Sequence, residues 1–189
     1  MSQRYGGSAG GRSIVPIAFH VDYWDQLGWK DHFAKSEFTS RQRLYSASWN
    51  HGSVYTPCFV LNGEEWQGWF SGESPPSRSQ INVGNLEVLV ESDGVDVRFT
   101  PTTKAKEYVV FAAPLAMQAS SDVRAGENQG RRLTHDFVAL SVVSTRMESR
   151  DSAFRAVLQV PLSGARAIAV WIALDHSLTP IQAVGGLLQ

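Results

Sequence analysis

The feature that most constrains the fold is a set of runs in the second half of the chain in which apolar and polar residues alternate. They read NLEVLVESDGVDVRFTP, KEYVVFAAPLA, LTHDFVALSVVS, SAFRAVLQVPL and ARAIAVWIALD. A period of two residues is typical of β-strands with one buried face. No long helical pattern separates these runs, so the sequence predicts an antiparallel β-sandwich over residues 81–189.

The preceding part of the chain predicts a smaller domain of mixed α/β character at residues 14–70. The run SIVPIAFHV is apolar enough for a buried strand, and residues 36–49 have the pattern of a helix. Asn62-Gly63, flanked by apolar residues, is a strong hairpin signal. The predicted fold class is therefore α+β.

Two stretches of biased composition bound this first domain. Residues 1–13 are rich in glycine and serine and predict a flexible N-terminus. Residues 71–80 contain several serines and two prolines and predict a linker to the β-rich domain.

A Thr-Pro dipeptide before the hairpin suggests an interpretation of the first domain. The order strand, helix, Thr-Pro, strand, Asn-Gly, strand is that of the second half of a thioredoxin-like fold, in which a cis proline opens a strand beside the redox site. This order predicts a cis peptide bond at Thr56-Pro57 and places Cys58, the only cysteine in the sequence, next to that site. The alternative is that Pro57 merely begins a strand and that Cys58 is a small buried hydrophobic residue.

Three long runs of the sequence resemble one known family. They are IAFHVDYWDQLGWKDHFAKSEFTSRQRLYSASWNHGSVYTPCFVLNG, AGENQGRRLTHDFVAL and AVWIALDHSLTPIQAVGGLLQ. They resemble the domain-of-unknown-function 1223 (DUF1223) family, exported bacterial proteins with a thioredoxin-like domain. The resemblance implies a thioredoxin-like domain followed by a β-rich domain, and a periplasmic or secreted location. The family has no established activity, and the candidate partner is a protein or peptide thiol.

The sequence departs from the pattern of that family at its start. Members of the family open with a strand that leads into Cys-x-x-Cys and a helix, and neither precedes residue 14 here. We interpret this as an N-terminal truncation that leaves the thioredoxin-like domain incomplete. Because a dithiol oxidoreductase needs a second thiol to resolve a mixed disulfide, the chain alone is not expected to turn over as a reductase.

The candidate site residues follow from this interpretation. Cys58 is the redox candidate, and no residue is assigned a catalytic role. The predicted substrate-binding residues lie at the Thr-Pro edge and at the end of the first predicted strand: Tyr55, Thr56, Pro57, His20, Asp22 and Trp24.

A metal site is conceivable in the same region but is not predicted. His20, Asp22, Asp25 and His32 carry groups that bind zinc or iron. Their spacing matches no tight ligand motif.

Four tryptophans in the first domain have two interpretations. Trp24, Trp29, Trp66 and Trp69 could stack on a sugar or on a partner peptide. The favoured expectation is that they pack the first domain against the second.

Composition narrows the classes of function. The formal net charge is −1, which offers no basic footprint for nucleic acid. No apolar run approaches the roughly 18 residues of a membrane-spanning helix. The start MSQRYGGSAGGRS does not have the pattern of a signal peptide, so a genuine start there would leave the protein in the cytoplasm.

Two functions remain after these exclusions. Nucleotide-binding loops are absent, and no cofactor is predicted. The first function is thiol-disulfide exchange in the cell envelope, with a Cys-x-x-Cys supplied upstream. The second is non-catalytic binding of a partner through the Thr56-Pro57 edge and the β-rich domain.

Overall fold

β-Strands are the main regular structure of the described molecule. The structure, a computed structural model, describes residues 2–7, 14–50, 52–75, 82–92, 94–103, 107–125 and 128–189. In chain order the strands are β1 (Gln3–Gly7), β2 (Val60–Leu61), β3 (Glu64–Glu65), β4 (Gly84–Val90), β5 (Val95–Pro101), β6 (Tyr108–Ala116), β7 (Ala119–Asp122), β8 (Arg132–His135), β9 (Val138–Ala139), β10 (Val143–Arg146), β11 (Glu148–Arg150), β12 (Ala153–Leu158), β13 (Ala167–Leu174) and β14 (Pro180–Leu187). One α-helix, α1 (Ser36–Ser48), and two 3-10 helices (Asp25–Leu27 and Gly68–Ser71) lie between β1 and β4.

The larger strands form two antiparallel sheets that pack face to face. The first has the order β1-β4-β5-β12-β11, and the second has the order β10-β6-β13-β14, with β9 pairing with β6 on the edge that β10 also uses. Two hairpins, β2-β3 and β7-β8, stand outside these sheets. The antiparallel pairing predicted for residues 81–189 is therefore confirmed.

Strand β13 shows how the second sheet is covered on both faces. Ile168, Val170 and Ile172 point into the core between the two sheets, and Ala169 and Trp171 point to the opposite face. Successive residues of a strand alternate between faces, so burial of both sets explains why ARAIAVWIALD is apolar almost throughout. The second sheet is the middle layer of the molecule.

Helix α1 covers the outer face of that sheet and occupies the position that the sequence predicts. Phe38 is only 1% exposed and packs with Trp171 and the alanines of β6 and β13. Val15 and Phe19, from the extended segment before the helix, join the same cluster. Among the polar residues of the helix, Thr39 and Ser46 are buried as well, whereas Glu37 and Arg43 are exposed.

The predicted thioredoxin-like domain at residues 14–70 is wrong, and with it the α+β fold class. The run SIVPIAFHV contributes a single bridge, between Ala18 and Val138, instead of a strand. Pro16 has no N–H to donate to a neighbouring strand, and the apolar side chains of the run pack on the second sheet instead. The β2-β3 hairpin has two residues in each strand, so the described part of this region contains no α/β sheet and the fold is nearly all-β.

The guanidinium of Arg41 links α1 to the second sheet. Its central carbon lies 5.4 Å from the ring centroid of Phe19, 5.3 Å from Tyr45, 5.8 Å from Phe111 and 5.2 Å from Trp171. The rings of Phe111 and Trp171, which face each other across β6 and β13, are stacked with their centroids 5.2 Å apart. A cation held among aromatic faces gains quadrupole attraction in place of hydration.

The hairpin at Asn62-Gly63 is present as predicted. Both turn residues have positive φ, 52° for Asn62 and 92° for Gly63, which matches the twist of a two-residue hairpin. Gly63 also lies close to the loop before β14, since a methyl group there would lie 2.8 Å from Thr179 Cα. The turn therefore needs glycine for conformation and for space.

The N-terminal stretch contributes to the sandwich. Strand β1 lies within residues 1–13, which the composition predicts to be flexible, and Tyr5 Oη donates to the carbonyl of Leu187 at 2.6 Å. Residues 8–13 and residues 76–80 of the predicted linker lie outside the described residues.

No helix within the described ranges is both long and apolar enough to cross a bilayer.

Candidate functional site

The segment around Cys58 is held at each end by a hydrogen bond to one of its backbone carbonyls. The Thr56-Pro57 peptide bond is cis, the geometry expected from the sequence. Gln42 Nε2, from α1, donates to the carbonyl of Tyr55 at 2.6 Å, and the backbone N–H of Trp66 donates to the carbonyl of Phe59 at 2.8 Å. The segment therefore has a fixed position between the helix and the hairpin.

The thiol of Cys58 is half-buried and weakly acidic. Burial raises its pKa, and the negative charge of Glu65 raises it further, against the lowering effect of contacts with Gln42 and Tyr55. It lines a cavity of about 10 Å³, enough for one water molecule at most. Because the thiolate is the nucleophile, a thiol with a raised pKa is poorly reactive at neutral pH. This environment does not activate the thiol.

Tyr55 is engaged by Glu65 rather than free to bind a substrate. Its hydroxyl donates to Glu65 Oε1 at 2.6 Å, and this hydrogen bond, with burial, raises the pKa of Tyr55 above its ordinary value. The side chain thus fixes the hairpin strand β3 to the Thr-Pro segment.

Trp24, Thr56 and Pro57 lie together on the surface. Trp24 Nε1 donates to Thr56 Oγ1 at 2.9 Å, although the tryptophan is 50% exposed, and Pro57 beside it is exposed as well. Two residues after Pro57, Phe59 contacts Trp69: their ring centroids are 5.2 Å apart, and Trp69 is 58% exposed.

We call this surface the aromatic edge, and it consists of Trp24, Thr56, Pro57, Phe59, Trp69 and Phe70. The expectation that the tryptophans pack two domains together is wrong for Trp24 and Trp69. Phe70, which follows Trp69 in the same 3-10 helix, is 60% exposed.

His20 and Asp22 lie in other environments. His20 Nδ1 lies 2.5 Å from Asp31 Oδ2, and its ring is 5.0 Å from the ring of His135 in a perpendicular arrangement. Asp22 accepts a hydrogen bond from the hydroxyl of Thr39 in α1 at 2.5 Å. The structure therefore assembles the predicted rim only at Trp24, which hydrogen-bonds Thr56, and directs His20 and Asp22 into internal contacts.

The groups around His20 have shifted acidities. Burial alone would raise the pKa of Asp31, but hydrogen bonds from His20 and from the backbone N–H of Phe33 hold it below its ordinary value. Burial lowers the pKa of His135, and the nearby His20 lowers it further. His135 Nε2 is buried without a hydrogen-bond partner in the structure. This cluster of imidazoles and one carboxylate joins the loop before α1 to strand β8.

Asp31 and His135 are residues that sequence reasoning missed. Asp31 follows its partner His20 by 11 residues in a loop without regular structure, and His135 lies in a different layer of the fold. The acidic and histidine residues near His20 in the sequence are the signal from which this cluster could have been predicted. No group of three or more metal-ligating side chains close enough to hold an ion exists among the described residues.

Comparisons with known proteins identify a structure with a similar fold and a matching family. A crystal structure of a protein from Agrobacterium tumefaciens, a structural-genomics target, is similar with a TM-score of 0.59 and 19% sequence identity, covering 91% of this chain and 78% of that one. At this identity the likeness shows a shared fold. No curated protein matches the sequence. The family model for proteins of unknown function DUF1223 matches residues 3–173, and the chain therefore belongs to the DUF1223 family.

Proposed function

We propose that this protein is a non-catalytic binding protein that holds an extended segment of a partner protein on the aromatic edge. The observation that carries the proposal is the hydrogen bond from Trp24 Nε1 to Thr56 Oγ1 at 2.9 Å, which fixes a half-exposed indole beside the exposed Pro57. A large side chain that is already ordered loses little conformational entropy when a partner binds.

The composition of the aromatic edge supports a protein partner. Trp24, Trp69 and Phe70 are each at least 50% exposed. Tryptophan and other aromatic residues are enriched where proteins bind one another, and they supply most of the residues whose truncation is costly. Thr56 and Pro57, both exposed, add a polar hydroxyl and a rigid apolar ring.

The environment of Cys58 supports binding over thiol-disulfide exchange. Its raised pKa keeps the thiol protonated at neutral pH, and the sequence holds no second cysteine to resolve a mixed disulfide. The resemblance to exported proteins supports placing the partner in the periplasm or outside the cell. The net charge of −1 gives no support to a nucleic acid.

A peptide selection tests the proposal. The full chain is immobilised and used to select from a library of random twelve-residue peptides, and the Kd of the best synthetic peptide is measured by fluorescence anisotropy. Trp24→Ala and Trp69→Ala are each expected to weaken binding at least about tenfold, the cost of truncating a central interface tryptophan. Trp24→Phe, which keeps a ring but loses the hydrogen bond to Thr56, is expected to give an intermediate Kd.

The control variant is Val157→Ala, which truncates another exposed apolar side chain, 71% exposed on strand β12. It is expected to bind like the wild type. The proposal is contradicted if no peptide is enriched, or if the selected peptide binds both tryptophan variants as tightly as the wild type.

A further inference from the structure

The β7-β8 hairpin stands outside both sheets of the sandwich and packs on the loop that carries Trp24. We call residues 20–33 the Trp24 loop. A two-stranded hairpin is at best marginally stable by itself, so this one depends on contacts with the rest of the chain. We propose that protonation of His135 on the hairpin releases the Trp24 loop and thereby weakens partner binding in mildly acidic solution. The inference rests on the proposed function, because it gives the aromatic edge a means of regulation.

The hairpin contacts the Trp24 loop at two separate places. The ring of His135 lies 5.0 Å from that of His20 and 6.3 Å from that of Phe33, both in edge-on arrangements. Beyond the end of β7, a methyl group at Gly28 would lie 3.6 Å from Ala125 Cβ, so the backbone of the loop is close to the hairpin there as well. Release of the hairpin would therefore free the loop at both places.

The hairpin face that carries His135 has two buried polar atoms without hydrogen-bond partners. In the register of the two strands, His135 pairs with Ala119. Ser121 pairs with Leu133 two residues further along, so all four side chains lie on the same face. Ser121 is 1% exposed, and neither its Oγ nor His135 Nε2 has a partner among the described residues. Buried polar atoms without partners lower the stability of the closed contact.

A proton on His135 increases this cost. In the imidazolium form both ring nitrogens are N–H donors and the ring carries a positive charge. Because Nε2 is buried, water does not solvate it while the hairpin lies on the loop, whereas water reaches it once the hairpin moves away. The charged form therefore favours the open arrangement.

The Trp24 loop offers the proton no free acceptor. The carboxylate of Asp31 already accepts hydrogen bonds from His20 Nδ1 and from the backbone N–H of Phe33. Burial is the largest of the causes that lower the pKa of His135. His20 and His32 lower it further through the charge that they carry when protonated, against the opposing effect of Asp31. Since the folded pKa is lowered, the contact is fully stable above the unfolded pKa near 6.5 and weakens as the pH falls.

The other charged groups of the two elements do not compensate this charge. In the loop, Asp22 accepts the hydroxyl of Thr39, and Asp25 accepts the backbone N–H of Asp31. The remaining charged side chains of the loop and hairpin are exposed, and water and salt screen them: Lys30, Asp122, Arg124, Arg131, Arg132 and Asp136. Protonation of His135 is therefore resolved by movement rather than by a new ion pair.

Asp31 connects the histidine contact to Trp24. Its backbone N–H donates to Asp25 Oδ1 at 3.2 Å, and Asp25 begins the 3-10 helix that Trp24 precedes. A movement of Asp31 therefore reaches the residue whose indole is fixed beside Pro57. Once the loop is released, a partner must order this indole on binding, and the cost of that ordering weakens the complex.

Hydrogen exchange tests the release without a partner. The exchange rates of two backbone N–H groups are measured by nuclear magnetic resonance at pH 7 and pH 5. They are that of Val123 on the hairpin, which donates to the carbonyl of Arg131, and that of Leu27 in the loop, which donates to the carbonyl of Trp24. After correction for the intrinsic rate, protection of both is expected to fall at least threefold. The upper limit is about 25-fold, which one proton with an unfolded pKa near 6.5 sets.

Three substitutions assign the effect to the histidine cluster. His135→Gln, which is neutral at both pH values, is expected to abolish the fall in protection. His20→Gln removes the opposing charge and frees Asp31 to accept from His135, so it is expected to reduce the fall. His176→Gln is the matched control and is expected to keep the full effect, because that side chain is 86% exposed and lies beside Asp175.

Three results of the exchange experiment overturn the inference. The first is equal protection at pH 7 and pH 5 in the wild type. The second is an undiminished fall in His135→Gln. The third is an undiminished fall in His20→Gln, which decides the matter if His135→Gln does not fold.

Binding is then measured at both pH values with a selected peptide that contains no histidine, aspartate or glutamate. The Kd of the wild type is expected to rise at least threefold from pH 7 to pH 5, and that of His135→Gln is expected to stay constant. An equal wild-type Kd at both pH values overturns the inference and leaves the proposed function intact. If no peptide binds at either pH while protection falls as described, the proposed function fails and the release of the loop stands alone.

Discussion

Replacement of Arg41 tests how the helix layer is held on the sandwich. The guanidinium lies among the rings of Phe19, Tyr45, Phe111 and Trp171, and one of its N–H groups donates to Tyr45 Oη at 3.1 Å. No carboxylate forms an ion pair with it within the described ranges, and its Nε is buried without a hydrogen bond. The aromatic faces must therefore offset most of its lost hydration.

The expected loss follows from these contacts. A desolvated cation–π interaction is worth about 2 kcal/mol and a side-chain hydrogen bond about 1 kcal/mol. The four rings share one charge, so their contributions do not add independently. We expect Arg41→Ala to lower the free energy of unfolding by about 3 kcal/mol, which for a chain of this length lowers Tm by about 6–12 °C.

The assay is urea and thermal unfolding followed by circular dichroism. Arg43→Ala, at an exposed arginine of the same helix, is the control and is expected to change stability by less than about 0.5 kcal/mol. Arg41→Met keeps much of the aliphatic stem and removes the charge, and we expect it to lose about 2 kcal/mol. An Arg41→Met protein as stable as the wild type would refute the reasoning, because the rings would then not offset the desolvation of the guanidinium.

Three further predictions concern the thiol, the histidine cluster and the hairpin. In an insulin-reduction assay the chain is expected to give no turnover above buffer, and robust turnover lost in Cys58→Ser would contradict the binding proposal. The pKa of His135 is lower in the folded than in the unfolded chain, whose value is near 6.5, so its contribution to stability is fully present above that pH and is lost on acidification. For one proton, the free energy of unfolding changes by at most about 1.4 kcal/mol per pH unit. His135→Gln is expected to reduce the pH dependence of the free energy of unfolding, measured with urea between pH 7 and 5. An unchanged pH dependence would argue against this assignment. Gly63→Ala, strained at positive φ and pressed against Thr179, is expected to cost about 1–3 kcal/mol by the same denaturation assay, and a neutral effect would show that the turn can relax.

Local sequence patterns correctly predicted two kinds of element. These are strands that bury only one face and turns that need particular residue types. The alternation in SAFRAVLQVPL gave strand β12, and Asn62-Gly63 gave the β2-β3 turn. The run LTHDFVALSVVS instead divides among β8, β9 and β10, with Phe137 at a positive φ of 57° between the first two. Periodicity cannot show such a break, because a single backbone conformation changes the direction of the chain without changing the apolar content.

Tertiary packing determined the environments that the sequence pattern left open. SIVPIAFHV has the composition of a buried strand, yet Val15, Ile17 and Phe19 pack, partly buried, on the face of the second sheet. Either environment would satisfy the same pattern. For the same reason, the structure brings together only some of the predicted site residues. Thr56 lies on the surface and contacts Trp24, another residue named from the sequence, whereas the partners of His20 come from a loop and from a strand far along the chain.

The most direct test of the central claim is where a bound peptide contacts the protein. Intermolecular nuclear Overhauser effects are measured between the selected peptide and isotope-labelled Cys58→Ser protein, which keeps the aromatic edge and lacks the thiol. We predict contacts from peptide protons to the indole of Trp24, the methyl group of Thr56 and the ring of Pro57. Loss of binding in Cys58→Ser, or contacts confined to the sandwich around Val157, would contradict the account.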